Sequence, residues 1–220
     1  MISGKKTVEM LDVIDSMFPD AEAELNHDNT FELTIAVLLS AQATDNHVNK
    51  VTSSLFKKYK TPEDYVAVPL EELQNDIRTI GLFRNKAKNI QKLCRDLIDK
   101  FDGEVPENYE DLVSLAGVGR KTANVVLSVA FDIPRIAVDT HVERVSKRLG
   151  LARYKDNVTQ VEETLMKKIP EDRWSRAHHQ LIFFGRYHCL ARAPKCEICP
   201  LMDDCREGQK RMKRKLKEEK

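Results

Sequence analysis

The chain has 220 residues, 32% of them charged and 41% apolar, and its 36 Lys and Arg against 35 Asp and Glu leave a net charge of +1. That is the composition of a soluble globular protein with a sizeable core, arranged as one large or two small domains. No apolar run approaches the ~18 residues of a membrane span, and the opening MISGKKTVEMLDVIDSMF carries acids where a secretion signal needs apolar residues, so the expected location is the cytoplasm.

Helical patterning runs through almost the whole chain, and the expected fold class is all-α. Residues 7–18 place Val8, Leu11, Ile14 and Phe18 on one face. Residues 30–42 are apolar nearly all round, as in a buried helix; the first half alternates, so a strand is the competing assignment, and length favours the helix. Thr44 suits the N-cap of a helix reaching Tyr59. Pro62 and Pro69 each suit the first turn of a short helix, and Gly81 supplies a C-terminal stop. Over 84–101, Ile90, Leu93, Cys94, Leu97, Ile98 and Phe101 form a full apolar stripe, which makes Cys94 a core residue. A short helix over 107–115 is followed by a glycine turn at 117–119 and a second helix from about 120 to 131, ended by Asp132 and Pro134. Further helices are expected near 140–149, 157–169 and 173–190. The strongly basic run 206–217, REGQKRMKRKLK, hints at nucleic acid but reads by itself as a solvated tail.

The stretch LAGVGRKTANVV, residues 115–126, has nearly the vocabulary of a phosphate-binding P-loop. The spacing excludes it. A P-loop needs glycine directly before the lysine and a strand upstream, whereas Arg120 separates Gly119 from Lys121. Two glycines before a helix still make an anion site, because they let backbone N–H groups approach a phosphate and the helix offers its N-terminal amides. A plain helix–helix turn would need only one glycine. Lys121 falls in the first turn of that helix, where the partial positive charge disfavours a cation. The alternative is a surface lysine with a packed stem and a wet head.

Four of the five cysteines, Cys189, Cys196, Cys199 and Cys205, occupy one short segment with the spacing C-x6-C-x2-C-x5-C. A disulfide framework is out of place in a cytosolic helical chain. Four thiolates in so short a loop suit tetrahedral zinc or an iron–sulfur cluster. The presence of one C-x2-C pair, where structural zinc usually takes two, favours the cluster. His188 reads as packing or hydrogen bonding rather than ligation.

LLSAQATD at 38–45, GL at 81–82, GVGRKTANVVL at 117–127, AVDTH at 137–141 and the four cysteines together resemble the endonuclease III family, bifunctional DNA glycosylases of the helix-hairpin-helix superfamily. The resemblance covers essentially the whole chain. One departure is Ala116, where the family usually has proline before the first hairpin glycine.

The resemblance implies two helical domains: a six-helix domain over 22–134 with the helix-hairpin-helix at about 107–131, and a second domain joining 1–21 to 135–220 around a [4Fe-4S] cluster held by Cys189, Cys196, Cys199 and Cys205. It implies excision of oxidised pyrimidines from duplex DNA, by a monomer, with cleavage at the resulting abasic site. Lys121 is then the nucleophile, its positive surroundings favouring the free amine that attacks carbon. Asp139 becomes the catalytic acid, although it could simply be a helix N-cap. A damaged base must leave the stack before its sugar is reached, and Gln42 and Leu82 align with the residues that fill the gap and wedge the opposite strand. For Leu82 the alternative is an ordinary core leucine. Gly117, Gly119, Arg120, Thr122, His141, Arg192 and Lys195 complete the expected DNA contacts. Ser40 and Asp45 join Thr122 and His141 in lining the pocket, and a monovalent cation is expected on the hairpin carbonyls. Two rivals remain: a relative that removes mismatched bases without cutting the strand, which generally lacks the lysine, and a metal-stapled DNA-binding module without catalysis.

Overall fold

The computed structural model describes residues 1–218, and every regular element among them is helical. The chain forms two compact units, Ala23–Ile133 and a discontinuous one that joins Met1–Glu22 to the chain from Pro134 onward.

In the Ala23–Ile133 unit, α2 (Thr30–Ser40) begins where the Asn29 side chain accepts from the Glu32 N–H at 2.9 Å. Every residue from Glu32 to Leu39 is buried, so α2 is the central helix and its alternation is incidental. Helix α3 (Asp45–Lys58) is capped by Thr44, as expected, and α4 (Pro62–Ala67) by a reciprocal Thr61–Asp64 box. Pro69 departs from expectation: it is the N-cap residue of α5 (Leu70–Asp76), one position before the first turn. Gly81 is not the helix stop either. Helix α5 has already ended at Ile77, and the left-handed residue is Leu82, φ 60°, immediately before α6 (Phe83–Phe101). Helices α7 (Tyr109–Ser114) and α8 (Arg120–Ala130) flank the glycine turn, and Asp132 takes the left-handed conformation after α8 at φ 53°. Ile90, Leu93, Cys94 and Leu97 of α6 are fully buried with Leu39, Val126 and Leu127; each large aliphatic there contributes about 1.5–3 kcal/mol. Burial pushes the Cys94 thiol far up, which suits an inert core residue.

The discontinuous unit contains α1 (Gly4–Met17), α9 (Thr140–Leu149), α10 (Val158–Lys168), α11 (Trp174–Phe183) and α12 (Arg206–Glu218). Helix α1 buries Thr7, Met10, Leu11 and Ile14, while Val8 is only half-buried, so its inward face is turned from the one expected. Asp15 joins α1 to α11 by accepting from Arg176 at 2.8 Å and Gln180 at 2.6 Å. The helix expected over 173–190 changes character partway, and Phe184–His188 winds as a π-helix. Gly185 lies in that turn against α9, where an added Cβ would come within 2.9 Å of the His141 Cβ. The basic run is no loose tail. It forms α12, seated where Gly208 meets Met202 and Cys205, with its N–H 3.3 Å from the Cys205 Sγ. No described helix is long and apolar enough to cross a membrane.

Candidate active site and metal loop

The hairpin turn closes without proline, since the Val118 N–H donates to the Leu115 carbonyl at 3.1 Å across Ala116. Its two glycines serve different needs. Gly117 has φ 80°, and a Cβ on it would lie 3.0 Å from both Asn89 and Leu38. Gly119 has φ −96°, ψ 179°, and a Cβ on it would meet nothing within 4 Å. The fold demands the first glycine and not the second. Leaving Gly119 bare keeps the first amides of α8 open, and no side chain caps them. Arg120 and Lys121 are exposed on the first turn and Thr122 is half-buried. The Lys121 ammonium has no ion-pair partner among the described residues.

Two more exposed residues of the same unit hold conformations that side chains normally avoid. Gln42 follows α2 at φ 58°, and Leu82 precedes α6 at φ 60° with its side chain 58% exposed, which removes the ordinary-core reading of Leu82. The loops are adjacent: a Cβ on Gly81 would stand 3.9 Å from the Gln42 carbonyl oxygen, and the His47 ring Nε2 pairs with the Thr79 carbonyl at 3.0 Å. Ser40 turns inward to its own helix, donating to the Val37 carbonyl at 2.8 Å.

Asp139 lies in the other unit and is the N-cap of α9. Its Oδ1 accepts from the His141 and Val142 N–H groups, each at 2.8 Å, so cap geometry fixes the carboxylate. His141 is half-buried, and burial lowers its pKa, favouring the neutral ring. Arg144 pairs with the His141 Nδ1 at 3.2 Å and donates to the Gly185 carbonyl at 2.8 Å.

The four cysteines line one small pocket with Phe184, His188 and Gly208. Burial raises the Cys196, Cys199 and Cys205 thiols, Cys199 to about 11. Burial so disfavours the thiolate form that four thiolates could share this pocket only with a metal group to offset their charge, the thiol protons leaving as it binds. His188 stacks on Phe184 at 5.1 Å, and its buried Nε2 has no partner among the described residues. Four sulfurs around a shared space, with an orphaned nitrogen beside them, fit an iron–sulfur cluster. Arg192 and Lys195 stand exposed on the same loop, and the Lys195 N–H donates to the His188 carbonyl at 3.1 Å.

Arg148 and Lys86 tie loops of the site to its helices, and no motif reveals either. Arg148 of α9 binds the carbonyls of Leu190 at 2.6 Å and Ala191 at 3.0 Å and reaches the Cys189 sulfur at 3.5 Å, tying the metal loop to the helix capped by Asp139. Lys86 of α6 is 5% exposed and donates to the carbonyls of Leu39 at 2.9 Å and Ala41 at 2.6 Å. Its signal in the sequence is its position, four residues before Ile90 and therefore on the apolar stripe.

Residues 35–171 match the model of the HhH-GPD superfamily base excision DNA repair proteins, and residues 189–205 match the iron–sulfur binding domain of endonuclease III. The chain is 64% identical over 216 residues to endonuclease III of Bacillus subtilis strain 168, covering 98% of this chain and 99% of that relative. It is 48% identical to endonuclease III of Escherichia coli K12, covering 93% and 97%. Among solved structures it is similar to a trapped endonuclease III–DNA covalent intermediate in its estranged-adenine complex, with a TM-score of 0.95, 64% identity and coverage of 96% and 100%. With motifs, helical architecture and cysteine loop in agreement along nearly its full length, this chain belongs to the HhH-GPD superfamily of base excision DNA repair proteins and, within it, to the endonuclease III family.

Proposed function

We propose that Lys121 is the nucleophile and Asp139 the acid through which this base excision repair DNA glycosylase and abasic-site lyase removes oxidised pyrimidines from duplex DNA. The observation that carries the reading is a lysine with no ion-pair partner among the described residues, exposed on the first turn of the hairpin's second helix, where a cation has no structural reason to be. The Lys121 amine attacks the sugar C1′, the C1′–N bond breaks and the base leaves with the electron pair. The resulting aminal opens at its C1′–O4′ bond, O4′ taking a proton as the amine loses one, and so becomes a Schiff base; this acidifies the adjacent carbon, and loss of that carbon's proton expels the 3′ phosphate by β-elimination. Asp139 assists base departure, stabilises positive charge developing on the sugar and relays protons; its two amide hydrogen bonds hold it in one orientation for that work.

The hairpin amides beside Gly117 and Gly119, with Arg120, grip the backbone phosphate, and the carbonyls of the turn seat a monovalent cation. Such contacts position DNA without reading its sequence. Gln42 fills the space left by the extruded nucleotide, Leu82 wedges the opposite strand, and Thr122 and His141 line the base pocket. Two exposed side chains held at positive φ support this, because strain of that kind persists where function uses it. Cys189, Cys196, Cys199 and Cys205 would hold the cluster, which when bound supplies a covalent staple to a loop too short for its own core. Arg192 and Lys195 then meet phosphate. We assign its work to the cytoplasm, at the nucleoid in a bacterium, because that is where chromosomal DNA lies.

Borohydride should trap the wild type covalently on abasic DNA by reducing the imine. Lys121→Gln should still bind that DNA yet lose trapping and strand cleavage, and trapping at the wild-type rate would remove the lysine from the mechanism. Base release without any strand cleavage by the wild type would instead favour a glycosylase acting on mismatched bases.

A further inference from the structure

The main chain and the side chain of Lys86 grip different loops. Its backbone N–H donates to the Leu82 carbonyl at 3.0 Å, the first turn of α6. Its ammonium, inside the protein, donates to the Leu39 and Ala41 carbonyls where α2 ends. The residue after Ala41 is Gln42, at φ 58°, and Leu82 is at φ 60°. A left-handed conformation disfavours any residue with a Cβ by about 1–2 kcal/mol, so each turn needs its neighbours to hold it. Carbonyls at a helix C-terminus carry partial negative charge and attract a cation. No other described ammonium binds backbone carbonyls from so deep a position, 5% exposed, and burial lowers the pKa of this one. A buried cation without a carboxylate is costly unless its hydrogen bonds are met. Here two of the three N–H groups are met by the carbonyls that lead into Gln42.

We infer that Lys86 is a positioning residue for strand opening: it fixes the Gln42 turn against the Leu82 turn, so that gap filler and wedge enter the duplex as one rigid pair. This rests on the wedge reading of Gln42 and Leu82. Leucine has an exposed aliphatic surface to insert, and glutamine has an amide to present; both are useful only if their spacing does not relax when the base stack pushes back.

The test uses full-length, iron-loaded protein and duplex DNA with an abasic-site analogue facing 2-aminopurine, whose fluorescence rises when it is unstacked. Lys86→Met keeps the unbranched stem, one atom shorter, and removes the ammonium. It should bind undamaged duplex like the wild type and melt as one folded protein; its fluorescence rise on the abasic analogue, and its kcat for base release on a separate duplex bearing an oxidised pyrimidine, should each be roughly ten-fold weaker, the scale of one lost charge-assisted hydrogen bond. Lys86→Gln retains a donor and should recover part of both. Leu82→Ala and Gln42→Ala report on the wedge reading itself: if both unstack the probe like the wild type, that reading fails. If they fail to unstack it while folded Lys86→Met succeeds, the wedge stands and the Lys86 inference is overturned. Failure of both Lys86 variants to fold would also overturn it, making the residue a requirement of the core.

Discussion

Gly117 and Gly119, two positions apart, predict opposite experiments. Gly117→Ala places a Cβ 3.0 Å from Asn89 and Leu38 on a left-handed backbone, and should lower stability by about 1–3 kcal/mol in a denaturant titration. Gly119→Ala has open space and an ordinary φ, so the fold should tolerate it while DNA affinity drops, because the methyl takes up open space on a phosphate's approach to the uncapped first turn. Equal loss of stability in the two would remove the distinction. Asp139 invites the same kind of separation. Asparagine caps a helix nearly as well as aspartate, whereas alanine forfeits about 1 kcal/mol. Asp139→Asn should therefore melt like the wild type and release bases slowly, yet retain some borohydride trapping on a pre-formed abasic site, which has no base left to expel. The motif residues were legible because their chemistry is local: a bare glycine, a misplaced cation, a capping acid. Lys86 and Arg148 were not, because their carbonyl partners lie 45–47 and 42–43 residues away, and nothing in a helix pattern shows where a side chain ends.

Helix α9 carries more of the site than its length suggests. Its N-cap is Asp139, its middle lies against Gly185, and its last turn holds the metal loop through Arg148. Gly185→Ala would force α9 away by a few tenths of an ångström or more, and should cost about 1–3 kcal/mol and slow base release together; a purely destabilising effect with intact turnover would uncouple the two ends of the helix. The Asp15 link between α1 and α11 has a pH signature. Hydrogen bonds from Gln180 and Arg176 hold its carboxyl below the usual carboxylate range. Its contribution is therefore present above the ordinary pKa near ~4 and lost as pH falls through the folded-state value. Asp15→Asn should destabilise at neutral pH and converge with the wild type in strong acid, as followed by thermal melting. Most helices could be read from periodicity and caps: Thr44 and Asp132 act as their chemistry requires. The errors arose where packing overrides local preference. Leu82 takes the left-handed turn that Gly81 seemed made for, and close approach to α9 replaces the end of one long helix by a π-helical turn.

The whole chain divides its labour unevenly. The Ala23–Ile133 unit has its own apolar core and no cysteine of the metal loop, whereas the other unit contains all four. Iron-loaded protein should be brown with acid-labile sulfide. Oxidative loss of iron should lower the melting of the discontinuous unit and weaken DNA binding, while the Ala23–Ile133 unit keeps its transition in calorimetry. One unshifted transition for both would show that the staple carries no stability. The same distribution governs salt dependence: removing one phosphate contact by Lys195→Ala should reduce the slope of log K against log salt by about one, regardless of flanking sequence.

The discontinuity also sets an order of manufacture. A ribosome releases α1 first, with Met10, Leu11 and Ile14 facing nothing, because α9, α10 and α11 have yet to be translated. The Ala23–Ile133 stretch can close its core while it emerges, as domains commonly do during synthesis. The nascent chain is then one finished body trailing from a greasy, waiting helix. Cys205 appears only after every apolar partner of α1 exists. Iron uptake thus becomes a late inspection mark, available only to molecules whose earliest segment has already had the chance to find its place.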